Sequence, residues 1–355
     1  MIIHFKKPRH WPDAYLYHWN TMPWAESPAW PGAKMDPEHG DWYRLELPGQ
    51  ETADLVFNDG AGSQTVDLRW RLAEGWCVAG ELWETDPDRL RHFAFPGGKL
   101  KALVLSFDDG SEQDRRLIER LDAHGLKGTF HINSGLTEGP GKVHAADIAT
   151  VYAGHEVSGH STTHPFLDSL AEERLESEIL GDIRALERLV GYPVRGLAYP
   201  FGVSHPALER LLPEWGLIYG RLVGDTHDFR LPGNPLLWRP SGHQTQALEL
   251  SRRFLALAPE EPSLLCVWGH SWEINDHQPG NNWGYIEEFC AVMGHRTDIW
   301  YAGAGEMAEY LGAMRAVRFS ADGHRVYNPS ALPVFLRQGG GIVELAPGKT
   351  FDLAP

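Results

Sequence analysis

Residues 106–110 read Ser-Phe-Asp-Asp-Gly, and His160-Ser-Thr-Thr-His164 follows further along the chain. One carboxylate and two imidazoles make the donor set of an open metal site, where three protein ligands leave a position for water or substrate. A second carboxylate beside the first can take the proton that a metal-bound water must lose. Imidazole and carboxylate donors favour Zn2+, with Co2+, Ni2+ and Fe2+ also compatible. The H-x-x-x-H spacing places two rings one turn apart, facing the same point. Asp108 and Asp109 close an apolar run and precede Gly110. Neighbours within a strand point to opposite sides, but a turn at the strand end lets both carboxylates reach one cleft.

The elements around these residues read as repeated βα units. Residues 100–107 are a mostly apolar run suited to a buried parallel strand, and 112–124 carry Leu117, Ile118 and Leu121 at helical spacing before Gly125. A strand is expected at 128–132. A helix over 170–190 is expected from Leu175, Ile179, Ile183, Leu186 and Val190, with Ser169 and Glu172 as a capping box and Gly191 as its stop. Further strands are expected at 195–199, 217–222, 236–241, 264–268 and 299–301. Helices are expected near 205–212, 245–257, 283–292 and 304–315. Such a rhythm predicts an α/β fold with a parallel sheet, open or closed into a barrel. Before it, residues 1–92 are rich in tryptophan, and short aromatic and β-branched runs alternate with turn signals such as Pro48-Gly49 and Asn58-Asp59-Gly60. They read as an all-β sandwich. Residues 316–355 read as a small β appendage, too short for a large core of its own, that packs on one of its neighbours.

Ser106-Phe-Asp-Asp-Gly110, Thr129-Phe130 and Gly154-His-Glu-Val-Ser-Gly-His-Ser-Thr-Thr-His-Pro165 together resemble the polysaccharide deacetylases, the NodB-homology carbohydrate esterases. The likeness continues through Tyr199-Pro-Phe-Gly202 to Trp268-Gly-His270 and places a catalytic domain at 93–315. The resemblance implies a distorted (β/α) barrel of about seven strands. It implies Asp109, His160 and His164 as metal ligands, Asp108 as general base on the bound water, and His270 as the acid that protonates the leaving group. Backbone N–H groups near Phe201 would donate to the oxyanion. Two departures stand out. The arginine that the family places two residues before the proline of the third motif, to orient the base, is Ala198 here, and Arg239 is the candidate replacement. Around His270 the chain reads Trp-Gly-His-Ser-Trp-Glu, with Asn281-Asn282-Trp283 beyond. Tyr199, Trp272 and Trp283 are therefore candidates to line a sugar pocket, and Glu273 is a candidate partner for a metal-bound histidine. His131 ends the second strand and can sit near the site, whereas His124, His144, His243 and His277 read as structural or surface residues.

Tyr15, Tyr17 and Trp19 alternate along one expected strand and so share a face, with Trp24 and Trp30 in a nearby loop. The stretch from Trp30-Pro-Gly through Asp41-Trp-Tyr43 to Val56-Phe-Asn-Asp-Gly60 resembles the starch-binding carbohydrate-binding modules. The resemblance implies α-glucan as a ligand for some of these five rings, the alternative being that they are core.

A formal charge of −16 and the lack of clustered Lys and Arg exclude a nucleic-acid binder. Cys77, Cys266 and Cys290 are far apart and form no CxxC pair, which argues against a thiolate zinc site or a disulfide scaffold. The N-terminus lacks the apolar run of a secretory signal and no stretch is long and apolar enough to span a bilayer, so a cytoplasmic protein is expected if Met1 is the native start, with secretion open otherwise. The functional expectation is a metal-dependent hydrolase that removes acetyl groups from a poly- or oligosaccharide, N-acetyl before O-acetyl. Its rivals are an amide or ester hydrolase of a small non-sugar substrate and a glycan-binding protein without catalysis.

Overall fold

In the computed structural model, which describes residues 1–275 and 277–353, the chain separates into Met1–Arg89 and Leu90–Pro355. In the first unit, one sheet runs in the order Asp36–Pro37, Trp42–Glu46, Ile2–Lys6, Glu74–Val78, Glu81–Trp83. The other runs Ala33–Lys34, Tyr15–Met22, Thr52–Asn58, Leu68–Trp70. Their inner faces share a core of Ile3, Phe5, Leu16, Leu55, Phe57 and Trp70, and the rings of Phe5 and Phe57 stack across it at 4.0 Å. This is the expected sandwich, produced by alternation of apolar and polar residues along each strand.

The second unit is built on Lys101–Asp108 (β1), Gly128–Ile132 (β2), Glu156–Gly159 (β3), Gly196–Ala198 (β4), Tyr219–Arg221 (β5), Gly242–His243 (β6), Ser263–Gly269 (β7) and Ile299–Ala302 (β8). The sheet order is β5-β4-β3-β2-β1-β7-β6, with β8 also pairing β1, and every pairing is parallel. All eight residues of β1 are buried, Lys101, Ser106 and Asp108 included, as a parallel strand covered on both faces requires. Trp238 bridges Arg221 while Ser241 donates its N–H to Cys266 O, so the segment 238–243 reaches from β5 to β7 and closes the distorted barrel. The strand expected at 236–241 is mostly absent: Pro235–Leu237 is a 3-10 turn, and only Gly242–His243 pairs as a strand. Pro235 and Pro240 have no N–H to give to a continuous ladder.

The helix expected at 170–190 forms with two differences. It runs as Glu172–Leu175, a π turn over Glu176–Leu180, and Gly181–Val190, and it ends at Gly191 with φ 76°. The capping box does not form, because the Ser169 hydroxyl donates to Phe166 O instead. Beyond the barrel, the hairpin Val334–Gln338 and Gly341–Leu345 pairs with Phe93–Ala94, and the Tyr310 hydroxyl ties the last barrel helix to this sheet by donating to Ala94 O and accepting from Phe335 N–H. The three cysteines are buried and free, and burial pushes each thiol up to about 12. Among the described residues no helix is long and apolar enough to cross a membrane.

Candidate active site

Parallel register brings the C-terminal ends of the strands to one level: Asp108 lies opposite His131, Ile132 opposite Gly159, and Ala198 opposite Arg221. The loops leaving these ends carry the chemistry, as they do in barrels generally. Asp109 leaves β1 at φ 80° with its N–H still on His131 O, and Gly110 follows at φ 60°. That reversal turns two sequential aspartates into one cleft.

His160 and His164 come together by a different route from the helical turn that their spacing predicts. The segment between them is not helical. Ser161 and His164 both adopt left-handed φ, 64° and 58°, and the imidazole centroids lie 4.8 Å apart. Neighbouring groups hold this turn. The Asn133 amide donates to His160 O and Ser161 O at 2.5 and 3.0 Å, and Glu178 accepts from the N–H and hydroxyl of Thr163. Asp182 accepts from the N–H groups of Ser134 and His160 at 2.7 and 2.9 Å, and burial pushes its carboxyl up to about 7. Asp109, Ser161, His164 and Phe201 are four of the eight non-glycine residues with positive φ among the described residues. Each such conformation costs on the order of 1–3 kcal/mol and persists where the surroundings over-determine it, as at active sites.

Asp109, His160 and His164 each offer one donor atom, and these atoms lie within 4.8 Å of one another. Asp109 Oδ1 is 3.7 Å from His160 Nε2 and 3.9 Å from His164 Nε2. His160 Nδ1 is 2.8 Å from Ala198 O; a carbonyl only accepts, so the proton sits on Nδ1 and the Nε2 lone pair faces the cleft. Burial lowers the His160 pKa to about 4, against the pull of Asp108 and Asp109, so the ring is neutral at neutral pH. A neutral imidazole with an oriented lone pair is what a metal ligand must be, and the donor set fits a divalent ion. Lys142 adds a cation beside it, donating to Asp109 O at 2.7 Å.

Asp108 is buried and is held as a carboxylate. Burial alone would raise its pKa, but Arg221, then His160 and His131, hold it well below the usual range. The Arg221 guanidinium donates to both Asp108 oxygens, and its own plane lies 5.0 Å from the Trp268 ring. His131 Nδ1 is 3.4 Å from Asp108 Oδ1, and its Nε2 meets the Tyr219 hydroxyl at 3.2 Å. The guanidinium at Asp108 is therefore not that of Arg239, which is exposed and donates to Gly224 O. Arg239 follows the strand-breaking turn and is exposed, whereas Arg221 ends β5 next to Asp108. An arginine inside the otherwise apolar run 217–222 was the available signal.

His270 lies 3.9 Å from Asp108 Oδ2 through Nε2 and 3.4 Å from Glu273 Oε1 through Nδ1. Burial opposes its imidazolium, but Glu273 and Asp108 outweigh that and its pKa is raised. Glu273 also accepts from His243 at 3.0 Å and, despite partial burial, falls to about 2 beside the two rings. Glu273 thus partners His270 and His243, and not His160 or His164 of the donor set. The turn after His270 is pinned from below: Ser271 Oγ donates to Asp114, which also accepts from Tyr152.

The candidate pocket residues separate. Trp272 is 50% exposed and its indole N–H donates to Asp109 Oδ2 at 2.8 Å. Trp283 is buried in the core under the guanidiniums of Arg116 and Arg120, so it cannot meet a sugar. The Tyr199 ring is likewise buried, its hydroxyl donating to Leu236 O. Phe201 follows it at φ 57°, in a turn whose Gly202 and Val203 N–H groups already serve Tyr199 O and Pro200 O. In the N-terminal sandwich, Tyr17 meets Trp19 and Trp30 at ring distances of 5.8 and 5.5 Å, with Trp30 and Trp24 exposed. Tyr15 packs on the turn at Gly60, where a Cβ would strike its ring.

The fold and site define the class. The polysaccharide deacetylase family model matches residues 87–220, and the starch-binding module 26 model matches residues 3–70. Two stretches of the chain thus match family models, the first as a starch-binding module and the second as a polysaccharide deacetylase. A peptidoglycan-N-acetylglucosamine deacetylase of Bacillus cereus is 30% identical over 113 residues, which is 31% of this chain and 40% of that protein. Peptidoglycan-N-acetylglucosamine deacetylase PgdA of Listeria monocytogenes is 28% identical over 133 residues, 37% of this chain and 27% of that protein. The chain therefore spans 40% or less of the length of these curated relatives. Among solved structures, CBM26 from a Bacillus halodurans amylase in complex with maltose is 29% identical, covering 24% of this chain and 99% of that one, with a TM-score of 0.23. A family 4 carbohydrate esterase from Streptomyces lividans in complex with acetate is 19% identical, covering 55% of this chain and 88% of that one, with a TM-score of 0.38. The family match ends at residue 220, so Arg221 and His270 lie beyond it.

Proposed function

We propose that the barrel is a metal-dependent deacetylase that removes acetyl groups from a poly- or oligosaccharide, with N-acetyl groups preferred and O-acetyl groups open to the same chemistry. The observation that carries this reading is the placement of an ionised, arginine-held carboxylate beside a compact set of one carboxylate and two imidazoles. A divalent ion held by Asp109, His160 and His164, Zn2+ by the character of the donors, would supply Lewis acidity toward the acetyl carbonyl and the attacking water. Asp108 accepts a proton from that water, and Arg221 and His131 keep its oxygens aimed and charged. The N–H of Phe201 donates to the oxygen of the tetrahedral intermediate. His270, its proton favoured by Glu273, passes that proton to the departing amine or alkoxide. The likeness to peptidoglycan-N-acetylglucosamine deacetylases supports an N-acetylated sugar as substrate.

The N-terminal sandwich we read as an α-glucan binder, with Tyr17, Trp19 and Trp30 as the contacting rings. The test for the barrel is acetate release from chito-oligosaccharides, acetylated xylan and small amides, before and after chelation and with Asp108→Asn. Release from a glycan that chelation and Asp108→Asn both abolish is expected. Full activity after either change would reject the mechanism.

A further inference from the structure

Phe166 and Phe201 are 52% and 48% exposed, yet they stack on each other with centroids 3.8 Å apart and planes 10° from parallel. Phe201 in turn meets His164 at 4.5 Å and 74°. Trp272, the other half-exposed large ring at the site, holds Asp109. Two different members of the donor set thus each touch an exposed aromatic side chain. Large apolar side chains left half in water around a polar cleft forgo part of the stabilisation that burial gives, and clusters of this kind mark ligand surfaces. The pair is held in place. Phe201 occupies a left-handed conformation, and the carbonyl of Phe166 accepts both the hydroxyl and the N–H of Ser169.

Resting on the deacetylase reading, we infer that the Phe166–Phe201 stack is a sugar-binding subsite for the residue next to the acetylated one. The C–H face of a pyranose is the apolar, flat partner that a half-exposed ring can accept, while its hydroxyls stay in water. Phe201 stands between Phe166 and His164, so Phe166 is set back from the donor set by one ring. That position suits a neighbouring sugar and not the acetyl group under attack. The barrel then selects oligomers over single sugars, because a monosaccharide leaves the stack bare.

The experiment compares acetate release from N-acetylglucosamine and from chitopentaose by the zinc-loaded full chain, its Phe166→Ala variant and its Phe166→Trp variant. Wild type should favour the pentamer in kcat/KM. Phe166→Ala should cut that preference about tenfold, with the loss in KM. Phe166→Trp should retain it, which a merely structural role for Phe166 would not predict. A Phe166→Ala enzyme with the wild-type length preference overturns the subsite and leaves the deacetylase reading intact. Absence of acetate release by wild type would instead count against the deacetylase reading. Calorimetric titration of chitopentaose into wild type and Phe166→Ala then decides the subsite alone: equal affinity overturns it, and a tenfold weaker variant supports it.

Discussion

Replacing Arg221 by methionine tests the centre of the mechanism. Arg221 and Asp108 are 1% and 3% exposed, so the substitution removes one half of a buried ion pair and leaves a carboxylate in a dry site. Breaking such a pair costs about 3–5 kcal/mol, and the loss of Arg221 removes the main partner that holds the Asp108 carboxyl down. The protein can relieve much of that cost by protonating Asp108, which would end the base role proposed for it. The acid limb of the pH–rate profile for acetate release should therefore move to higher pH. Below the new limb the rate should fall by about 10²–10⁴, the usual contribution of a general base. Arg221→Lys keeps the charge without the planar fork and should fall between the two. Arg239→Met, which alters an exposed side chain bonded to Gly224 O, should leave the profile in place. Near-ultraviolet circular dichroism reports whether each variant keeps its core packing. A folded Arg221→Met enzyme with an unmoved acid limb would refute the assignment of Arg221 as the group that sets the state of Asp108.

Other outcomes follow from the same geometry. His160→Ala should abolish binding of one Zn2+ per chain, measured by titration with a chromophoric chelator, because His160 supplies the best-oriented lone pair of the set. Glu273→Gln removes the main partner that raises the His270 pKa; since the acid works only while protonated, the alkaline limb of the pH–rate profile should move to lower pH. The same raised pKa means that the stability His270 adds is complete below the ordinary imidazole value and is lost as pH rises through the folded one, a trend that thermal melts across pH can follow. Trp19→Ala in the N-terminal sandwich should weaken retention on insoluble starch at least tenfold, while acetate release from soluble oligomers stays within twofold of wild type. Unchanged retention would count against the aromatic row as the glucan surface.

The sequence by itself determined the elements and the donors. A mostly apolar run at 100–107 pointed to a strand covered on both faces, and the strand–helix alternation after it pointed to a parallel sheet. Asp-Asp at one strand end and a paired-histidine motif after another marked a candidate set of metal donors, because those side chains sit where barrel strands open into loops. Partners across the barrel were not legible. Arg221 lies far from Asp108 in sequence and meets it only because parallel register aligns their strand ends, so local spacing pointed to Arg239 instead. Trp272 and Trp283 look alike in the chain, yet one ends exposed on Asp109 and the other sinks beneath two arginines, because Trp272 sits in a short turn at the cleft and Trp283 starts a helix that packs on the core. The conformation of 160–164 also escaped prediction: left-handed φ at Ser161 and His164 is unfavourable locally and is imposed by Asn133, Glu178 and Asp182 from distant parts of the fold. Short-range patterning chose what each segment would be. Tertiary packing chose which charged groups would share a dry cleft, and with that their protonation and their work.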